Sequence, residues 1–282
     1  MTRHVERRQI AVDSRTISYL AAGPWPSRHL AVFLHAFPLA ADMWMPQLRE
    51  LPGGWSAAAP DFRGFGASAP DAPAAARAGA GIDDYGADVV ALLGALGAGR
   101  AAICGCSMGG YAAFALLRRA PDRVAGLLLA DTRATADADA ARASRAAMLD
   151  RLDRLGPAAV AAEMRGTLVG PTTLASRPAV LDAIDALMGR ATREGIGFAV
   201  ARMMNRPDST AALGAFPRPV CVVVGEEDVL TPPSEAAAMA AAVPGATLTT
   251  IPRAGHLPNL EAPEAFNAAM TTWLDAVARV TV

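Results

Sequence analysis

Ala101-Ala102-Ile103-Cys104-Gly105-Cys106-Ser107-Met108-Gly109-Gly110 passes from an apolar run, through a serine with glycine at both second neighbours, into a stretch of helical periodicity that ends near Arg119. The run lacks the polar alternation of a strand with one wet face, so it predicts a strand buried on both sides, as in a parallel sheet. A strand that turns into a helix this abruptly needs backbone space at the turn, which the glycines supply. The turn holds Ser107 in a strained conformation at the strand's end, with the free N–H groups and positive dipole end of the helix behind it. Further out, Leu30-Ala31-Val32-Phe33-Leu34, residues 124–130 and Val220-Cys221-Val222-Val223-Val224 have the same continuous apolar character. Helical spacing recurs at 82–96, 108–119, 234–242 and 263–280. This alternation predicts an α/β fold with a mostly parallel, doubly wound sheet.

Two segments depart from that pattern. Gln9-Ile10-Ala11-Val12 and Thr16-Ile17-Ser18-Tyr19-Leu20 flank Asp13-Ser14-Arg15 and predict an antiparallel hairpin. Residues 132–216 have helical spacing and no convincing strand, which predicts a helical cap inserted between two parts of the core, 1–131 and 217–282.

Composition excludes several classes. With 26 basic against 27 acidic residues, the net charge of −1 gives no footprint for nucleic acid. No apolar run is long enough to span a membrane. Every basic residue is arginine, so Schiff-base and P-loop lysine chemistry is excluded. The charged opening Met1-Thr2-Arg3-His4-Val5-Glu6-Arg7-Arg8 leads into no apolar core of a secretory leader, which predicts a cytoplasmic setting. Cys104, Cys106 and Cys221 fall in or beside apolar strands and are expected to be reduced and buried.

A serine nucleophile needs a base, and there are four histidines. His4 lies in the charged tail, His29 enters a strand and His35 ends one, whereas His256 occupies a loop after the strand-like 247–251 segment and is the expected base. The imidazole must be oriented by a carboxylate. Asp228, in the loop after 220–224, gives the chain order Ser, Asp, His; Asp131, at the end of 124–130, and Glu227 are rivals. The oxyanion of acyl transfer needs donors, expected from the N–H groups of Met108 and of Phe37, with His35 bracing the Phe37 loop. This chemistry calls for no cofactor and no metal.

The sequence resembles the α/β-hydrolase superfamily over nearly the whole chain outside the cap. His35-Ala36-Phe37-Pro38 resembles the family's H-G-x-P loop, with Ala36 departing from the usual glycine. Residues Asp61-Phe62-Arg63-Gly64-Phe65-Gly66-Ala67-Ser68 resemble its D-x-R-G-x-G-x-S turn, expected to be locked by an Asp61–Arg63 pair. Gly105 to Gly109 resemble the elbow, while Gly225-Glu226-Glu227-Asp228 and Gly255-His256 with Glu261-Ala262-Pro263-Glu264 resemble the acid and histidine loops. Within the superfamily the sequence is similar to the branch containing 3-oxoadipate enol-lactonases and related small carboxylesterases, implying a serine hydrolase acting on a small-molecule ester or lactone. Serine at the elbow argues against dehalogenase and epoxide-hydrolase chemistry, which needs a carboxylate there. A haloperoxidase-like perhydrolase using the same three residues is the alternative, and a non-catalytic ligand-binding relative a third. Leu39, Trp44, Tyr111, Val229, Leu230 and Leu257 are expected to line the substrate pocket, under a cap carrying Met164, Leu168, Phe198, Met203 and Met204. The cap arginines Arg165, Arg193, Arg202 and Arg206 are candidates to meet a substrate carboxylate.

Overall fold

A computed structural model describes residues 2–12, 15–68, 77 and 79–280. Strands β1 (Val5–Val12) and β2 (Arg15–Ala22) form the expected hairpin, with Ile10 opposite Ile17; Asp13 and Ser14 of its turn lie outside the described residues. With β3 (His29–Leu34), β4 (Trp55–Pro60), β5 (Ala101–Cys106), β6 (Val124–Ala130), β7 (Val220–Gly225) and β8 (Thr247–Ile251) they make one sheet in the order β1-β2-β4-β3-β5-β6-β7-β8. β2 runs antiparallel to β1 and β4, and every pairing from β4 to β8 is parallel.

Because strand side chains alternate, each central strand feeds two cores. Val32, Leu34, Ile103, Leu127, Leu129 and Val222 join the core that contains α2 (Asp83–Ala95) and α3 (Met108–Arg119). Phe33, Cys104, Cys106, Leu128 and Val223 join the opposite core, with α1 (Met45–Arg49) and, at the chain's end, α12 (Pro263–Val280). On α12, Phe266, Met270, Trp273, Leu274 and Val277 recur at helical spacing and are all buried, each contributing about 1.5–3 kcal/mol.

Between β6 and β7 the described elements are helices joined by loops: α4 (Asp139–Leu155), α5 (Pro157–Arg165), α6 (Pro171–Ser176), α7 (Pro178–Met188), α8 (Arg193–Met204) and α9 (Thr210–Gly214). Then α10 (Pro233–Ala241) follows β7, and the short α11 (Pro258–Glu261) precedes α12. Among the described residues, no helix is long and apolar enough to cross a membrane.

Strand order places the site. From β3 the chain moves to β4 on one side, whereas from β5 it moves to β6 on the other. The loops leaving the carboxyl ends of β3 and β5 therefore diverge and open a crevice, the usual ligand position in such sheets.

Candidate active site

Ser107 sits at the mouth of that crevice, between β5 and α3, with φ +53° and ψ −113°. Its backbone is pinned on both sides: its N–H donates to the Ala130 carbonyl at 2.9 Å, and its own carbonyl accepts from Gly110 N–H at 2.9 Å and from Thr132 Oγ1 at 2.8 Å. A Cβ on Gly105 would stand 2.5 Å from the Gly109 carbonyl oxygen, and one on Gly109 would stand 2.0 Å from that of Leu34. Both positions are therefore closed to side chains, which is the steric reason for the glycine spacing.

The Ser107 hydroxyl lies 2.8 Å from His256 Nε2, and His256 Nδ1 lies 2.8 Å from Asp228 Oδ2. Asp228 is buried and accepts further bonds from Leu230 N–H (2.8 Å), Thr231 N–H (3.1 Å) and Thr231 Oγ1 (2.5 Å). Burial alone would raise its pKa, but the facing His256 imidazole together with these donors holds it below the ordinary carboxylate range. The His256 loop is braced by Glu261, whose Oε1 accepts from the N–H groups of Gly255 (2.9 Å) and Leu257 (3.1 Å). Its Oε2 accepts from Gly170 N–H at 2.8 Å, tying the same loop to the helical segment. There the backbones of Gly170 and Gly255 touch: a Cβ on Gly255 would lie 2.1 Å from Gly170 N, and one on Gly170 would lie 2.2 Å from Glu227 Oε2.

Of the other candidates, His35 is fully buried. Its Nδ1 lies 2.9 Å from the Ala36 carbonyl and its Nε2 accepts from Phe62 N–H at 3.0 Å, while burial holds its pKa down to about 4. It is thus a neutral brace with no nitrogen free. Glu227 accepts from Thr172 N–H at 2.9 Å. Asp131 accepts from Gly225 N–H at 2.8 Å, and burial together with the neighbouring Asp228 pushes its carboxyl well above the usual range. Asp131, Asp228 and His256 lie close enough to hold a metal, but both imidazole nitrogens of His256 are engaged by Ser107 and Asp228.

Ser107 and His256 open onto a cavity of about 170 Å3, whose walls include Phe37, Tyr111, Met148, Met164, Met203 and Leu230. Among the described residues, neither the Phe37 nor the Met108 N–H has a hydrogen-bond partner, and Phe37 lines the cavity.

The family model of the α/β hydrolase fold matches residues 32–263, most of the chain and every element of this site. The chain belongs to that family. It is 31% identical over 244 residues, 86% of this chain and 88% of the relative, to the Variovorax paradoxus (strain S110) protein named "Putative carbamate hydrolase RutD". To 3-oxoadipate enol-lactonase 2 of Acinetobacter baylyi it is 28% identical over 245 residues, 86% and 87% of the two chains. A solved thermophilic esterase from Thermogutta terrifontis superposes with a TM-score of 0.88 at 35% identity, over 96% of this chain and 99% of that one.

Several pocket residues expected for this α/β-hydrolase lie elsewhere. Leu39, Trp44 and Leu257 are fully buried in the α1/α12 core, where Trp44 packs on Phe33 and Phe266. Leu168 is in that core too, and Val229 points outward at 67% exposure. Arg202 is buried over Tyr85 and Phe198 and bonded to Asp84; Arg206 lies over Tyr111 and pairs with Asp137. Arg165 pairs with Asp185, and Arg193 donates to the Leu152 carbonyl. The cations at the cavity are instead Arg133, donating to the Leu230 carbonyl, and Arg145, paired with Asp137. Burial pushes Asp137 up, but these two partners, Arg145 and Arg206, bring it below the ordinary range. The Asp61–Arg63 pair is not made. Asp61 binds Arg7 and the N–H groups of Ala41 and Ala67, and Arg63 binds Asp88. All three cysteines are free and buried, which raises their thiol pKa values and leaves them unreactive.

Proposed function

We propose that this protein hydrolyses a carboxylic ester or lactone through an acyl-enzyme on Ser107. The carrying observation is the continuous chain from Ser107 Oγ through His256 to Asp228, both links at 2.8 Å, at an elbow whose backbone is fixed. His256 Nε2 takes the hydroxyl proton as Oγ attacks the carbonyl carbon, and Asp228 holds the imidazolium by its Nδ1–H. The oxyanion faces the N–H groups of Met108 and Phe37. Collapse expels the alcohol oxygen, which takes the proton from Nε2. Water then enters with His256 as base, and the acid leaves from Ser107.

Helices α4 to α9 serve as a cap over this chamber, since Met148, Met164 and Met203 come from α4, α5 and α8. Such a roof excludes water during acylation, and its methionines adapt to several acyl shapes. The names of the relatives, an esterase and an enol-lactonase among them, agree with this class. Of the charged groups in the wall, Arg145 is paired with Asp137, which lines the same cavity, so Arg133 is the cation that a substrate carboxylate would meet. The test is covalent labelling with a fluorophosphonate probe. Wild type is expected to label at Ser107, and Ser107→Ala to lose both the label and turnover by several orders of magnitude. Full labelling of the variant at another residue refutes the assignment.

A further inference from the structure

Asp131 and Asp228 end the adjacent parallel strands β6 and β7 or the loop just beyond, and they are 1% and 3% exposed. One oxygen of each and a ring nitrogen of His256 fall within 4.8 Å of one another. Among the described residues, no arginine donates to either carboxyl group. The other titratable groups facing Asp131 are the Cys106 thiol and Glu261, so only His256 can become cationic there. Two buried carboxylates with a single transient cation cannot both stay ionised.

The hydrogen bonds say which one holds the charge. Asp228 accepts from four donors: Leu230 N, Thr231 N, Thr231 Oγ1 and His256 Nδ1. Asp131 accepts from one, Gly225 N, on Oδ1; its Oδ2 is buried with no partner. A bare carboxylate oxygen in that position would be uncompensated, whereas a protonated one becomes a donor.

We propose that Asp131 is kept as a neutral carboxylic acid whose Oδ2–H faces the Asp228 carboxylate, which makes it a positioning residue for the Asp228–His256–Ser107 chain. The inference rests on the serine-hydrolase reading given above. Burial and the Asp228 charge, which both raise the Asp131 pKa, agree with it. In each half-reaction the mobile proton travels between oxygen and His256 Nε2, and the Asp131 proton stays on Oδ2. Its donation lowers the proton affinity of Asp228, so the Nδ1 proton remains on the imidazolium. An ionised Asp131 would instead favour imidazolium in the free enzyme, leaving no base for Ser107.

Asn is the discriminating substitution, because Asp131 has φ +46°, a region that Asp and Asn both tolerate. Its carbonyl oxygen can accept from Gly225 and its NH2 can donate to Asp228. Asp131→Ala has neither group and is expected to lower kcat about 10- to 100-fold, the worth of a hydrogen bond to a charged group. Asp131→Asn is expected to rescue most of that loss. Independently of activity, the infrared difference spectrum of wild type minus Asp131→Asn at pH 7 should contain the C=O stretch of a protonated carboxyl. If Ala fails to fold, the spectrum and the Asn variant still decide. Absence of that band, or an Asn variant that folds yet loses kcat by more than about 100-fold as an ionised acid would require, overturns the proposal. Failure of the serine reading shows separately, as loss of fluorophosphonate labelling at Ser107 with the band still present.

Discussion

Replacing Asp228 by Asn keeps the shape of the side chain and removes its charge. The pair it forms with His256 is 2.8 Å long and lies 3% and 0% exposed at the two side chains, so solvent screens it little. With an effective dielectric constant of about 20, a unit-charge pair separated by about 3–4 Å is worth about 4–6 kcal/mol. That attraction exists only while His256 carries the proton from Ser107, so its loss falls on the barrier, corresponding to about 10³- to 10⁴-fold in kcat/KM. An amide NH2 facing Nδ1 also favours the tautomer with hydrogen on Nε2, which has no lone pair for the Ser107 proton. The assay is initial-rate hydrolysis of p-nitrophenyl acetate over a range of concentrations, with Tm measured on the same preparation to exclude unfolding. A loss of less than tenfold at unchanged Tm refutes the argument and moves the orienting role away from Asp228.

Two further outcomes are expected. His35 titrates at about 4 when folded, against 6.5 for the free side chain, so between those values the unfolded chain binds a proton that the folded chain refuses. The stability it contributes is complete above about pH 6.5 and is lost as pH falls toward 4, a change of about 3 kcal/mol. The urea midpoint of wild type should therefore drop more over that interval than that of His35→Gln, and equal drops refute the burial account. For substrate size, the cavity of about 170 Å3 beside Ser107 predicts at least about tenfold higher kcat/KM for acetyl to hexanoyl p-nitrophenyl esters than for dodecanoyl. A maximum at the long chain refutes the limit set by that volume.

The sequence carried the α/β fold where strands stood out as continuous apolar runs that Leu, Ile, Val, Phe or Cys dominate, as in β3, β5, β6 and β7. It did not mark β4, because Ala57, Ala58 and Ala59 have little intrinsic strand preference and are held extended by pairing with β2 and β3. The elbow was legible because strand, glycines and helix are contiguous. Ser107, Asp228 and His256 lie 149 residues apart from first to last, yet Ser107 and Asp228 follow apolar strands and His256 follows the threonine-rich β8, positions that sequence does reveal. The pocket wall was less legible. Leu39, Trp44 and Leu257 flank the right loops, but which way a loop residue points is set by packing, and theirs turn into the α1/α12 core. Arg133 and Arg145 had no sequence signal beyond being arginines among many; Arg133 lies just past β6, where strand-end reasoning could have found it.

The junction of Gly170, Gly255, Glu227 and Glu261 has a consequence for how such proteins diverge. One carboxylate, Glu261, clamps the histidine loop and the helical segment at once, and no side chain fits at either glycine. The helical segment between β6 and β7 is consequently not a freely exchangeable module. A helical segment transplanted from another protein would have to bring a side-chain-free residue to this seam; otherwise the graft would displace the imidazole it was meant to shelter. Variation in the residues facing the cavity is thus channelled to α4, α5 and α8, which supply Met148, Met164 and Met203 and lie away from the seam.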